Sequence, residues 1–96
     1  MIKHVVCFKL KENSAAEKQR TKEMLCSMQG KVPQIQELFV GIDFFFFLRS
    51  YDVILEVVLQ DRAALDAYQA DPYHVSVVKK HMHHVQQSSV AIDCEL

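Results

Sequence analysis

The sequence predicts an α+β fold, the ferredoxin-like β-α-β-β-α-β plan with a four-stranded antiparallel sheet. Three observations carry that prediction. Residues 2–10 and 89–96 place apolar side chains on one face with a period of two, and 51–60 is a strand-length run rich in Val, Ile and Leu, the signatures of strands. Helical segments with recognisable caps fall between them, at 14–29, 62–70 and 73–85. The 96 residues suffice for a single domain, 1–96, and no linker, repeat or composition break divides them.

In the first strand Ile2, His4, Val6, Phe8 and Leu10 share one face and Lys3, Val5, Cys7 and Lys9 the other. Asn13 or Ser14 caps the helix that follows, with Glu17 three residues beyond Ser14 as a capping box requires, and Gly30 marks its end. Met24, Leu25 and Met28 are its expected apolar stripe, while the polar run EKQRTKE is expected to lie largely in water. Val32-Pro33 breaks the chain, and a second strand is expected from Gln36 through Phe47, with Gly41 marking a bulge or a close backbone approach. Alternation would then send two of the rings Phe44 to Phe47 to each sheet face. Leu48-Arg49-Ser50 is the turn into the third strand, and Asp61 caps the second helix. Asp71-Pro72 ends that helix, with proline at the first position of the next.

Composition excludes several classes of partner. Eleven basic and twelve acidic side chains nearly cancel, and no basic face suited to gripping nucleic acid emerges. No apolar run approaches the roughly 18 residues of a membrane span, and the N-terminal segment reads as a strand and not a signal peptide, so a cytoplasmic protein is expected. Cys7, Cys26 and Cys94 have neither CxxC nor zinc-knuckle spacing and are read as buried free thiols of a reducing compartment.

The third strand is apolar on both faces: Tyr51, Val53, Leu55, Val57 and Leu59 point one way, Ile54 and Val58 the other. Helices of this plan cover one sheet face only. The remaining face, carrying Val5, Cys7, Ile54 and Val58, is too apolar for water and calls for a second copy. Two sheets packed face to face give a homodimeric α+β barrel, and a chain this short gains core by associating.

Four segments in fixed order carry a family resemblance: MIKHVVCFKL at the start, P-x-I-x-x-L-x-x-G-I-D at 33–43, R-S-Y-D at 49–52 and Y-x-x-D-P-Y-H at 68–74. Together they resemble the stress-responsive A/B barrel domain (Dabb) family of dimeric α+β barrels, from Ile2 to Asp93. The resemblance implies no single activity, since many members have no assigned chemistry. One plant member closes a linear polyketide by aldol condensation without metal or cofactor. Its functional tyrosine and histidine match Tyr68 and His74 here, and its first-strand pocket histidine matches His4. A further pocket histidine of that member is replaced by Val53, and the phenylalanine run stands where a more polar segment is usual.

Each candidate has a structural and a functional reading. His4, on the helix-facing side of its strand, is either a core histidine bonded to a carbonyl or to Tyr68, or a ligand-contacting group in a cavity. His74, at a helix N-terminus, is expected to stay neutral because the dipole disfavours its cation. A neutral imidazole can remove a proton alpha to a carbonyl, with Tyr68 orienting the developing enolate. Equally, His74 can simply fix the turn through Asp71. His81 and His84 share a helix face and His83 does not. Two histidines without a third ligand make a poor zinc site, so no metal and no cofactor are expected.

The expected function is binding of a small apolar or carbonyl-bearing molecule between sheet and helices. Its catalytic form would be cofactor-free cyclase or lyase chemistry through His74 and Tyr68, in a pocket of His4, Val6, Phe8, Leu25, Val53 and Leu55. The alternative is a non-catalytic, stress-associated structural or binding protein. A heme- or oxygen-handling role ranks last, because only His74 or the 81–84 cluster offers an iron ligand.

Overall fold

A computed structural model describes the chain from Met1 to Leu96. Four strands, β1 (Ile2–Leu10), β2 (Glu37–Ile42), β3 (Val53–Leu59) and β4 (Gln86–Glu95), form one antiparallel sheet in the order β2-β3-β1-β4. Between them lie α1 (Ala15–Cys26), α2 (Arg62–Ala70), a π-helical segment His74–Lys79 and its continuation α3 (Lys80–Val85). This is the ferredoxin-like plan the alternation predicts.

The central position of β1 decides which residues meet. His4 stands opposite Val57 on one side and Asp93 on the other; Val6 stands between Leu55 and Ala91. Ile2, His4, Phe8 and Leu10 are buried with Val53, Leu55, Val57 and Leu59 beneath the helices. Lys3, Val5 and Cys7 share the opposite face with Ile54, Val58, Val90 and Ile92, of which Val90 and Ile92 are exposed. Gly41 sits in an unbroken β2–β3 register, and a Cβ there would come within 3.1 Å of both Ile54 and the Phe39 ring. Close approach, not a bulge, is what glycine serves at this position.

Ser14 caps α1 by accepting from the Glu17 N–H at 3.2 Å. The helix ends at Cys26, short of the expected Gln29, and the chain turns through Gly30 at φ 82°. Its buried stripe is Lys18, Thr21 and Leu25, with Met24 only half-buried and Met28 buried in the turn that follows. The polar first half therefore does not lie wholly in water. The Lys18 stem is covered, and its ammonium lies 3.4 Å from the Asp43 carbonyl, 3.9 Å from Asp52 Oδ1 and 3.7 Å from the centre of the Phe46 ring. A long side chain buries its methylenes while its charge finds a carboxylate, a carbonyl and an aromatic face.

The second strand stops at Ile42, so Phe44–Phe47 are loop residues and are not divided between the sheet faces. After the Asp43–Asp52 backbone pair, the Asp43 carboxylate accepts from the Phe46 N–H at 3.0 Å and Ser50 Oγ from the Phe47 N–H at 3.1 Å. Such side-chain acceptors favour a turn over a continuing ladder, and Phe46 adopts φ 55°. All four rings are exposed, Phe44 by 87 %. The thiols also differ from expectation. Cys26 and Cys94 are exposed and Cys7 is half-buried, because Cys26 lies off the α1 stripe and Cys94 lies on the uncovered sheet face. β4 starts at Gln86, three residues before the expected Ser89, directly after α3.

Candidate functional site

His4 reaches the space between sheet and helices from the middle of β1, as its alternation dictates. Asp93, its neighbour on β4, accepts a hydrogen bond from His4 Nδ1 at 2.5 Å. A carboxylate only accepts, so Nδ1 carries the proton of this bond.

Tyr68 and His74 come from the two sides of the turn that Asp71-Pro72 makes. Asp61 caps α2 through the Ala64 N–H at 2.8 Å, and α2 delivers Tyr68 to the interior, fully buried. One Asp71 oxygen then accepts from the backbone N–H groups of Tyr73 at 2.9 Å and His74 at 3.1 Å, capping the next helix. That places the His74 ring against Tyr68 with centroids 4.3 Å apart, and Tyr68 against His4 at 5.7 Å edge to face. The three candidates form one continuous aromatic row.

His74 Nδ1 donates to the Tyr68 backbone carbonyl at 2.9 Å, which leaves Nε2 as the available base. Burial lowers the His74 pKa below the usual histidine value, with Lys79 and His4 pushing the same way; the Tyr68 carbonyl and Asp71 act against it. Neutrality was expected from the helix dipole, but removal from water is its main cause. Burial also raises the Tyr68 pKa, and its hydroxyl is directed at Met28 Sδ, 3.8 Å away. The structural role of the turn and the placement of the imidazole are thus the same geometry: Asp71 fixes the backbone and the Tyr68 carbonyl fixes the ring.

The row borders a half-open cleft of about 340 Å³ between the sheet and the helices. Val6, Phe8, Leu25 and Leu55 supply apolar wall as the sequence suggests. Val53 does not reach it; it packs in the core beside Phe8 and Ile42, at the Asp52 end of β3. Wall residues that sequence reasoning missed include the apolar Val78 and Met82, the polar Gln69, Lys79 and His83, and Ser89 and Ala91 of β4. The spacing 74, 78, 82 was a readable helix stripe, whereas the β4 contribution depends on β4 lying beside β1. His81 and His84 lie in a separate surface depression with Glu17 and Arg20, while His83 stands at the cleft. No three His, Cys, Asp or Glu side chains are grouped to hold a metal ion, and no helix is long and apolar enough to cross a membrane.

The comparisons with known proteins agree with this architecture. A dimeric protein of unknown function with a ferredoxin-like fold, from Bacteroides fragilis, is 22% identical with a TM-score of 0.82, covering 99% of this chain and 95% of that one. A Dabb family protein with a ferredoxin-like fold from Mesorhizobium loti is 19% identical, TM-score 0.77, covering 99% and 95%. The hydroxynitrile lyase of Passiflora edulis is 13% identical, TM-score 0.80, covering 96% and 89%. At these identities the likeness shows the fold alone. Among curated proteins none matches the sequence. The model of the Stress Responsive A/B Barrel Domain matches residues 2–96, nearly the whole chain, and the protein belongs to that family.

Proposed function

We propose that the protein is a homodimer that binds a small apolar, carbonyl-bearing molecule in the cleft beside His4, Tyr68 and His74, with His74 as the base of a cofactor-free cyclase- or lyase-type proton transfer. The observation that carries this reading is the His74 ring, buried, held neutral, and tied through Nδ1 to the Tyr68 carbonyl so that Nε2 keeps its lone pair. A base of that kind can take a proton alpha to a carbonyl. His4, tied in the same way to Asp93, offers a second polar contact at the apolar cleft. A mostly apolar wall with a few fixed polar groups is the usual construction of a small-ligand site. The homodimer rests on the uncovered apolar sheet face, and structural relatives such as that from Bacteroides fragilis are described as dimeric.

A non-catalytic binding role is the second reading, and the Tyr68 hydroxyl favours it. That hydroxyl is directed at the Met28 sulfur, and its raised pKa suits a packed phenol. The ketone 2-octanone in D2O separates the two. Catalysis predicts hydrogen–deuterium exchange at its alpha carbons above the solution rate, lost in His74→Ala while that variant remains folded by its amide spectrum. Binding without exchange supports the second reading. No binding, read from the His4 and His74 ring resonances, would overturn both.

A further inference from the structure

The cleft has a sign. Among the side chains lining it are four bases, His4, His74, Lys79 and His83, and no carboxylate. The two carboxylates close behind it are both engaged, Asp93 by His4 and Asp71 by the backbone N–H groups of Tyr73 and His74. Lys79 lies at the end of the π-helical segment, one turn beyond His74, and the wider π turn sets its position along the wall. Its ammonium donates to the Gln69 carbonyl at 3.0 Å and has no Asp or Glu oxygen within 4.0 Å. An ammonium has three donors, so two remain beyond the bond to the Gln69 carbonyl. Its charge reaches the row of rings, since Lys79 is one of the groups that disfavour the His74 cation.

We infer that the cleft selects an amphipathic anion, a small carboxylate with an apolar body, whose head group is bound by the Lys79 ammonium and whose body lies along Val6, Phe8 and Leu55. This rests on the cleft reading of the preceding subsection and adds the charge of the ligand. A cation beside an apolar wall, already partly withdrawn from water, forms a stronger hydrogen bond to a carboxylate than to a neutral oxygen. Gln69 holds the head of Lys79 through its backbone, so side-chain substitution at 69 leaves that anchor in place. At about 30 Å³ for each water-sized unit, 340 Å³ accommodates about eleven non-hydrogen atoms. Octanoate, with its eight-carbon chain, is of that size.

The test compares octanoate with 1-octanol by calorimetric titration at neutral pH, with the His74 and Tyr68 resonances reporting the location. The wild-type protein should bind octanoate at least tenfold more tightly than octanol. Lys79→Met should remove that preference by weakening octanoate alone, and Lys79→Arg should keep most of it. Equal binding of the two probes by the wild type, or a preference that survives Lys79→Met, would overturn the inference and leave the cleft reading standing. Failure of both probes to shift the His74 and Tyr68 resonances would overturn the cleft reading and this inference together.

Discussion

His4 and Asp93 are 89 positions apart in the chain, yet the imidazole Nδ1 donates to the carboxylate at 2.5 Å across adjacent strands. The register of β1 with β4 puts the two directly opposite, and the carboxylate holds the Nδ1 proton and fixes the tilt of a ring that is almost fully buried. Asp93 itself is about half open to solvent. It therefore carries charge at modest cost while orienting a ring at the edge of the cleft.

Asp93→Ala should leave a buried imidazole donor without a partner, which costs about 1–3 kcal/mol. Urea unfolding of the wild type, Asp93→Ala, His4→Phe and the double variant measures it. The two single losses should not add, with an interaction of about 0.5–3 kcal/mol. Strict additivity would mean that the bond contributes nothing.

Ile54 lies on the uncovered sheet face in the same cross-strand row as Cys7 and Gly41. Ile54→Asp places a carboxylate in the interface of the proposed dimer, where an unpaired buried charge costs several kcal/mol. Sedimentation velocity at micromolar concentration should give about twice the 11.1 kDa chain mass for the wild type and the chain mass or an unfolded species for the variant. A stable wild-type monomer would refute the arrangement.

Acid should weaken the fold through His74. Its pKa in the folded state lies below the ordinary 6.5, so the stability that neutral His74 contributes is present above about pH 6.5 and is lost as pH falls through the lower folded value. Melting temperature should decline over that range, and less so in His74→Gln. His81 is shifted in the same direction by burial, His84 and Arg20, so ring-proton titration is needed to assign the two. A His74 ring that titrates at or above 6.5 would contradict the burial argument.

Asp52 joins three parts of the fold. Its Oδ2 accepts from the Leu10 N–H at 2.7 Å, and its Oδ1 faces the buried Lys18 ammonium at 3.9 Å. Asp52→Ala strands a backbone donor and a buried cation together, and about 3–5 kcal/mol of destabilisation is expected from denaturant unfolding. Asp52→Asn, which can still accept from Leu10, should cost less. A loss in Asp52→Asn close to zero would show that the cation is indifferent to the carboxylate, and equal losses in the two variants would show that the Leu10 bond contributes nothing.

The order of elements, the helix-facing side of β1 and the turn between Tyr68 and His74 were legible in the sequence, because periodicity, caps and proline act over a few residues. That His4 points under the helices follows from alternation alone. Its partner Asp93, by contrast, follows from β4 lying beside β1, a pairing that local pattern cannot rank against others. The same holds for Ser89 and Ala91 in the cleft wall, and for the exclusion of Val53, which belongs to the core at the other end of its strand. The phenylalanine run has the composition of a strand, yet Asp43 and Ser50 bind its backbone N–H groups and turn it into an exposed loop. Lys18 carries a charge that local polarity assigns to water. The sheet, the Asp52 carboxylate and the Phe46 ring bring it inside. Local pattern determined which elements form and which faces are apolar; tertiary structure decided which distant groups share a site, because only packing supplies the partners that buried polar atoms require.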